Sequence, residues 1–347
     1  MNIECSAQAL SHAIGAVRKM CGKEPPYSAV RVDALADKIV VTGSDYADTA
    51  SVEISATVHA PGSHGVPLRA LDAALSRAGD TVAISIDDAG RARIDGIVRS
   101  AVFGREDYVT RSDDFVEPVR IDDAPQRIKR VMHCANTDET RPVISGVGYS
   151  PTTGALAATD GHRASWIGNL APQSDRSILL PMSLCGMITR MGGSVEISTS
   201  AGGIRATDGE IEVCVSRVAD VSRHPVTAEF LSNFDSPEMG EIPIKEATAL
   251  IQSAVRCASR QMSSVFLEID GCSLIVSALD EQTGLEFRDA IHVDAPDMPR
   301  VRCNAAYFTE ALAFAGGETA HVGWSGTLTP IRIVQGDAGA IVMPQRG

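Results

Sequence analysis

The chain repeats one sequence pattern three times, and this repeat limits the possible folds more than any other feature. In each third, a strand-like run ends in a Thr/Ser-rich acidic turn, TGSD, ATDG or SALD. The aspartates of these turns, Asp45, Asp160 and Asp280, are 115 and 120 residues apart, so three such units fill the 347 residues. A unit of this length exceeds a solenoid repeat and indicates three small domains in a row.

Each third also carries the pattern of two helices. The first helices are expected near residues 10–21, 128–135 and 250–258, where apolar residues recur at three- and four-residue intervals. The second helices begin near Pro67, Pro181 and Asn304 and are expected to stop at a glycine. Short β-branched runs such as KIVVTGS and SVEISTS predict strands. The predicted fold class is α+β, with two helices packed on antiparallel sheets in each domain.

Two interruptions of these patterns set the domain boundaries. Acidic residues and prolines break the periodicity in SDDFVEP, residues 112–118, and in DSPEMGE, residues 235–241. We therefore predict an N-terminal domain over residues 1–115, a central domain over 116–237 and a C-terminal domain over 238–347. All three are of conventional domain size.

The composition bears on location and chemistry. Aromatic residues make up only 4% of the chain against 44% hydrophobic residues, so the cores are expected to be aliphatic. No apolar run approaches the ~20 residues that span a bilayer, and the N-terminus lacks a signal-peptide pattern, so we expect a cytoplasmic protein with no membrane contact. The eight cysteines are scattered without metal-ligand spacing, so we expect buried thiols, no metal and no cofactor.

The net charge of −13 at first argues against a nucleic-acid partner. Basic residues nevertheless concentrate on the three first helices and the turns beside them. Two interpretations remain open: these residues line a surface that meets phosphates, or they are ordinary solvated faces. The residues concerned are Arg18, Lys19, Arg127, Lys129, Arg130, Lys245, Arg256 and Arg260.

The pentapeptide TDGHR, residues 159–163, closes the strand-like run of the central third with polar residues. It fits a turn whose aspartate caps backbone amides, and it also fits a built binding site. A remote alternative is a hydrolase in which Asp160 orients His162 as a base, with Ser165 as nucleophile. No GxSxG, Walker A or GxGxxG element accompanies it, which disfavours catalysis.

Together, TRPVISGV, TDGHR and the C-terminal AIVMPQRG resemble, in the same order, the signatures of the bacterial DNA polymerase III β subunit, the sliding clamp. The resemblance covers essentially the whole chain. It implies a DNA clamp fold that forms a ring from two three-domain chains joined head to tail around double-stranded DNA, without reading its sequence. It also implies no catalytic residue, and as partners the DNA polymerase III catalytic subunit, the clamp loader and other proteins with a clamp-binding motif.

The resemblance further implies two sets of site residues. DNA contacts fall on Lys23 and, less specifically, on Arg69 and Arg141. In the pocket for partner peptides, TDGHR forms one wall and the C-terminal tail another, and the head of Arg163 is expected to stay in water. The pocket residues are Ile144, Thr159, Gly161, His162, Arg163, Pro225, Asn304, Tyr307, Val342, Met343, Pro344 and Arg346.

The chain departs from the family pattern at four positions near this pocket: Ala164, Met262, Gln345 and Gly347. The family commonly has larger or more apolar residues there. We therefore expect weaker binding of a generic clamp-binding peptide than in a typical clamp. An alternative function also stays open, a clamp-like paralogue that binds replication proteins as an accessory, resistant or competing copy.

Overall fold

The computed structural model of the chain describes residues 1–104, 114–116, 118–138, 140–150, 154–168, 170, 177–216, 224, 238–258 and 263–346. The chain divides into two compact units that are interleaved in sequence. Unit 1 comprises Met1–Pro125 and Gly186–Val218, and unit 2 comprises Gln126–Cys185 and Ala219–Gly347. The predicted boundaries near residues 115 and 237 lie beside or within stretches outside the described residues, so the three-domain division stays a prediction.

Each third of the chain contributes two helices and several strands to the described residues. The first contains β1 (Asn2–Ser6), α1 (Ala7–Val17), β2 (Ala29–Ala34), β3 (Lys38–Ser44), β4 (Thr49–Ala60), β5 (Gly62–Pro67), α2 (Leu68–Leu75), β6 (Thr81–Ile86), β7 (Arg91–Ile94) and β8 (Val98–Ala101). The second contains β9 (Val119–Ile121), α3 (Ala124–Val131), β10 (Gly146–Ser150), β11 (Ala155–Thr159), β12 (Arg163–Ile167), β13 (Ile178–Pro181), α4 (Met182–Ile188), β14 (Val195–Thr199), β15 (Ile204–Thr207) and β16 (Ile211–Val215). The third contains β17 (Gly240–Pro243), α5 (Ile244–Val255), β18 (Ser264–Asp270), β19 (Ser273–Asp280), β20 (Leu285–His292), β21 (Met298–Asn304), α6 (Ala305–Ala315), β22 (Thr319–Gly323), β23 (Ile331–Gln335) and β24 (Ala338–Val342).

Unit 1 contains one antiparallel sheet of twelve strands. Its main path runs β8-β7-β6-β1-β4-β16-β15-β14-β9, and β3, β2 and β5 branch from β4. The long strand β4 makes this possible, because Thr49–Val52 pairs with β16 while its distal half pairs with β1. Strands from the first and second thirds of the chain therefore share one sheet.

Unit 2 contains two antiparallel sheets. One has eight strands in the order β13-β10-β11-β12-β24-β23-β22-β17, and the other has four in the order β20-β19-β18-β21. The larger sheet joins strands of the second third to strands of the last third through the pairing of β12 with β24. That pairing brings the two sequence motifs of interest onto neighbouring strands.

The three acidic turns have the same construction, as the repeat predicts. In each turn a carboxylate oxygen of the aspartate accepts a hydrogen bond from a backbone amide two or three residues later. The distances are 3.0 Å from Asp48 N to Asp45, 3.0 Å from Arg163 N to Asp160 and 3.0 Å from Gln282 N to Asp280. An aspartate at the end of a strand thus closes the chain reversal by satisfying amides that would otherwise lack a partner.

The second helices begin where the sequence predicts, but the expectation that all three run to a glycine is wrong for two of them. α2 ends at Leu75 and α4 at Ile188. The hydroxyl of the next residue, Ser76 or Thr189, donates to the carbonyl three residues back, at 2.9 and 3.0 Å. Only α6 meets its glycine directly, at Gly316, whose φ is 74°.

The cores are aliphatic, as the composition predicts. Among the twelve largest fully buried side chains, Phe308 is the one aromatic. The expectation of buried thiols is wrong for Cys272, which is exposed. Cys5, Cys134, Cys185 and Cys303 are buried, and burial raises the pKa of these thiols to about 11 for the first two and about 12 for the others. Such thiols stay protonated at neutral pH.

Candidate functional site

The TDGHR turn and the C-terminal tail lie side by side in unit 2. β12 and β24 pair in a register that sets Arg163 opposite Val342 and Trp166 opposite Gly339. Beyond the last ladder pair, the amide of Met343 donates to the carbonyl of His162 at 2.9 Å. The two predicted walls are therefore adjacent and connected by backbone hydrogen bonds.

The turn itself is held rigidly by its own polar groups. Asp160 Oδ1 accepts from the amides of His162 at 2.8 Å and Arg163 at 3.0 Å. The Thr159 hydroxyl donates to the Arg163 carbonyl at 2.7 Å and accepts from the amide of Gly161 at 3.0 Å. Gly161 has a φ of 90°, which a glycine adopts without strain. Thr159 is buried, so it shapes the turn and does not face a ligand.

Arg163 departs from the sequence expectation. Its side chain is only 14% exposed, so its head does not stay in water. Nε donates to Asp160 Oδ2 at 3.0 Å, Nη2 donates to the carbonyl of His133 at 3.0 Å, and Nη1 pairs with Glu310. The guanidinium carbon also lies 4.3 Å from the centre of the Tyr307 ring. Burial by itself lowers the pKa of Arg163, but hydrogen bonds to Glu310 and Asp160 outweigh it and hold the pKa above its ordinary value.

Helix α6 carries two predicted pocket residues. Asn304 is its N-cap, and its side-chain oxygen accepts from the amides of Ala306 at 2.9 Å and Tyr307 at 3.2 Å. The side-chain oxygen of Asn304 is therefore used in capping α6. Tyr307, half-buried, lies under the Arg163 guanidinium, and Glu310 follows one turn later.

His133 contacts the same arginine through its backbone carbonyl. Its Nδ1 lies 2.7 Å from the carbonyl of Arg130, so Nδ1 donates and Nε2 is left to accept. The thiol of Cys134 lies 3.2 Å from Nε2. Burial, followed by the positive charge of Arg163, lowers the pKa of His133, which favours the neutral imidazole at neutral pH.

The remaining pocket residues differ in exposure. Gly161, His162, Met343 and Arg346 are exposed, and Pro344 is half-buried. Ile144 and Val342 are buried and lie beneath this surface as packing residues. Pro225 lies outside the described residues. The exposed Met343 is the large apolar side chain that a peptide could contact directly, and methionine adapts readily to different ligands.

Arg141, which the resemblance links weakly to DNA, lies beside the TDGHR turn. A Cβ built on Gly161 would be 3.6 and 3.7 Å from the two terminal nitrogens of Arg141. Arg141 is exposed and forms no ion pair with any residue that the structure describes. The glycine of the turn therefore has a cation beside it.

The other basic candidates divide into two groups. Arg18 pairs with Asp72, Arg127 donates to the Gly168 carbonyl, and Arg130 donates to the Phe314 carbonyl, so these heads already have partners within the protein. The second group is exposed. It comprises Lys19, Lys23 and Arg69 in unit 1, and Lys129, Lys245 and Arg256 in unit 2. Arg260 lies outside the described residues.

Two departures from the family pattern lie in this region, while Met262 and Gly347 fall outside the described residues. Ala164 is buried in β12. The Gln345 amide donates to the carbonyl of Arg302 at 2.8 Å, but its side-chain oxygen is buried and has no hydrogen-bond partner among the described residues. A buried acceptor of this kind costs stability.

The geometry disfavours Ser165 and Asp160 in the roles that the hydrolase alternative gives them. Ser165 has no exposed surface, and its hydroxyl donates to the Val131 carbonyl at 3.2 Å. The Asp160 carboxylate is occupied by backbone amides and Arg163. Within the part of the chain that the structure describes, no group of three or more His, Cys, Asp or Glu side chains could hold a metal ion.

Glu310 and His133 contact Arg163 in the structure, although no sequence motif indicated them. Glu310 could have been found from spacing, because it follows Tyr307 by three residues on a predicted helix and so shares its face. His133 follows the amphipathic segment of the central third, and its carbonyl, which holds Arg163, leaves no trace in a side-chain pattern.

No family model and no curated protein match this sequence. Solved structures do match, each over 100% of both chains. They include the DNA polymerase III subunit β of Pseudomonas aeruginosa (TM-score 0.85, 18% identity), a DNA polymerase sliding clamp of Caulobacter crescentus (0.86, 17%) and a sliding clamp of Bartonella birtlesii bound to griselimycin (0.84, 15%).

These matches show that the chain has a DNA sliding-clamp fold along its full length. The fold is that of the β subunit of bacterial DNA polymerase III, so the resemblance predicted from the motifs is confirmed at the level of the fold. Among the described residues, no helix has the length and apolar composition needed to cross a membrane.

Proposed function

We propose that this protein is a DNA sliding clamp that encircles double-stranded DNA and tethers a replicative polymerase to it. The observation that carries the proposal is the clamp fold over the whole of this chain and the whole of the matched clamps. The mechanism is topological and needs no catalytic residue. A polymerase held to a ring stays at high effective concentration near its template, so even a weak peptide contact supports processive synthesis. This role would place the protein in the cytoplasm.

The proposed DNA contacts are weak and independent of sequence. Lys23 and Arg69 are exposed, as are Lys19, Lys129 and Lys245. Long basic side chains can meet successive phosphates through brief contacts that leave the DNA free to slide. The net charge of −13 implies that the rest of the surface is acidic, which discourages adhesion elsewhere.

The proposed partner site is the surface formed by the TDGHR turn, the tail and the start of α6. An exposed Met343, a half-buried Tyr307 and the polar rim of His162 and Arg346 suit a short peptide with apolar anchors. The place of Arg141 beside Gly161 favours this site over DNA for that residue. The partners proposed are the polymerase III catalytic subunit, the clamp loader and other proteins with such a peptide.

We further propose that two chains join through β8 and β20. β8 is an end strand of the sheet of unit 1, and β20 is an end strand of the four-stranded sheet of unit 2. Both edges offer backbone groups for strand pairing. Arg99 on β8 lies directly opposite Arg93 on the neighbouring strand β7, an unfavourable pair that an acidic partner would relieve. β20 offers the exposed acids Glu286 and Asp289 together with the exposed Arg288, and the contact joins unlike surfaces, as a head-to-tail ring requires.

Light scattering across a dilution series tests the dimer, since two 36.6 kDa chains should give twice the chain mass. The double variant Arg93→Glu/Arg99→Glu should dissociate at higher concentration than wild type. Combining it with Glu286→Arg and Asp289→Arg should restore dimer by reversing both sides of the contact. If none of these four substitutions changes the dissociation constant of the dimer, the proposed interface is wrong.

Encirclement is tested by retention on DNA. The protein, loaded by a cognate clamp loader and ATP on nicked circular DNA, should stay bound through gel filtration at moderate salt. Cutting the circle should release it, because a ring slides off a free end. Equal retention on circular and linear DNA would contradict a topological mechanism.

The alternative, a paralogue that binds replication proteins without serving as the main clamp, draws support from Gln345. A buried, unpartnered amide oxygen beside the pocket is a departure that could retune partner choice. A stable dimer that fails the DNA retention assay but binds clamp-binding peptides would favour this alternative.

A further inference from the structure

The guanidinium group of Arg163 is hydrogen-bonded within the protein. Each guanidinium nitrogen has a partner, and these partners lie on three separate segments: the turn at Asp160, the carbonyl of His133 and the carboxylate of Glu310 on α6. The ring of Tyr307 covers one face at 4.3 Å. Arg163 thus has little capacity left for a ligand that lies on the surface above it.

The two carboxylates that hold Arg163 differ in freedom. Asp160 is fixed by two backbone amides, and its side chain is 17% exposed. Glu310 has a side chain that is 50% exposed, and Arg163 is its one polar side-chain partner among the described residues. The Glu310 carboxylate therefore pairs with the buried Arg163 and is also exposed to solvent beside Tyr307.

We propose that Glu310 sets the charge preference of the part of the peptide site beside Tyr307, apart from the cations Arg141 and Arg346 elsewhere on that site, an inference that rests on the partner-binding function proposed above. One positive charge is held by two negative charges, so the cluster of Arg163, Asp160 and Glu310 carries a net charge of −1. The half-exposed member is the one that a bound peptide meets. The cluster disfavours acidic residues in the part of the peptide that lies beside Tyr307, and it favours neutral or basic ones.

The substitution Glu310→Gln isolates this effect. Glutamine keeps the length of the side chain and an oxygen that can accept from Arg163, but it removes the charge and leaves a neutral Arg163–Asp160 pair. A unit charge about 6 Å from a peptide charge near the surface should change the ratio of Kd values for acidic and basic peptides by about three- to tenfold. Because the site is partly exposed, this change should shrink as salt is raised.

The experiment uses the full-length protein and three fluorescent peptides that share one aliphatic and one aromatic anchor. Their flanking residues are aspartate, asparagine or lysine. Kd values are measured by fluorescence anisotropy at low and high salt. In Glu310→Gln, the acidic peptide should gain affinity relative to the lysine peptide, with the asparagine peptide in between.

Two controls separate charge from structure. Glu318→Gln removes the same charge from an exposed position beyond the end of α6 and should leave the ratio of Kd values unchanged. Glu310→Asp keeps the charge and should keep the wild-type ratio. An equal change for all three peptides in Glu310→Gln would overturn the proposal and make Glu310 a purely structural residue. Failure of wild type to bind any peptide would overturn the proposed partner site and this inference together.

Discussion

The contact between Trp166 and Gly339 should make the substitution Gly339→Ala costly. The two residues are opposite each other in the pairing of β12 with β24, and the indole lies across the glycine. A Cβ on Gly339 would fall 2.1 Å from Cζ2 of Trp166 and 2.4 Å from Cε2. Ordinary carbon contacts are about 3.5–4.0 Å, so the ring would have to move by about 1.5 Å. We expect a loss of about 1–3 kcal/mol in the free energy of unfolding.

A double-mutant cycle identifies the cause. In a Trp166→Ala background the added methyl group meets no ring, and alanine in a strand interior should then be better than glycine by about 0.5–1 kcal/mol. The coupling free energy between the two positions should therefore be about 1.5–4 kcal/mol. Equilibrium urea unfolding followed by far-ultraviolet circular dichroism measures it without relying on tryptophan fluorescence.

Gly168 provides the matched control at the end of β12. Among the described residues other than its chain neighbours, the nearest atom to a Cβ there is the carbonyl oxygen of Asp337, at 3.6 Å. Gly168→Ala should show no coupling to Trp166→Ala. If Gly339→Ala costs the same with and without the indole, the steric argument is refuted.

Three further predictions concern stability elsewhere. Gly240→Ala should cost about 3 kcal/mol, because its Cβ would lie 2.3 Å from the Cα of Ala295, and a urea midpoint like that of wild type would exclude the clash. Gln345→Met should raise the free energy of unfolding by about 1–2 kcal/mol by removing the unpartnered buried oxygen, and a lower urea midpoint would show that this oxygen is satisfied. Burial lowers the pKa of His224 from 6.5 to about 4. The unfolded chain therefore binds the proton more tightly than the folded chain does. Above pH 6.5 this histidine should leave the free energy of unfolding at its full value, and that free energy should fall by about 3 kcal/mol as the pH drops to 4. His224→Asn should flatten this fall in pH-dependent urea titrations, and an unchanged slope would assign it to other groups.

Local features of the sequence predicted much of the fold. The run KIVVTGS matches β3, Lys38–Ser44, residue for residue, because β-branched residues flanked by turn signals specify a strand within one short window. The starts of the three second helices were equally legible, whereas the first helices begin three to six residues before the expected segments. The ends of α2 and α4 were not legible, since both helices end several residues before the expected glycine.

The candidate site was only partly predictable, for a physical reason. TDGHR and the tail carry their own signal, but the burial of Arg163 depends on Glu310, which is 147 residues away in sequence. Such a pair leaves no local periodicity. The motif showed which residues matter, whereas the solvent exposure of each depended on contacts between distant segments.

The pairing of β12 with β24 also bears on how the chain is made. Paired residues of the two strands, such as Arg163 and Val342, are 179 residues apart. The edge of β12 that pairs with β24 therefore stays unpaired during synthesis until nearly half the chain has followed it. During that interval the edge is available to chaperones or to wrong strands. The surface beside His162 is finished only when the last strand docks. A prematurely terminated chain therefore lacks this surface.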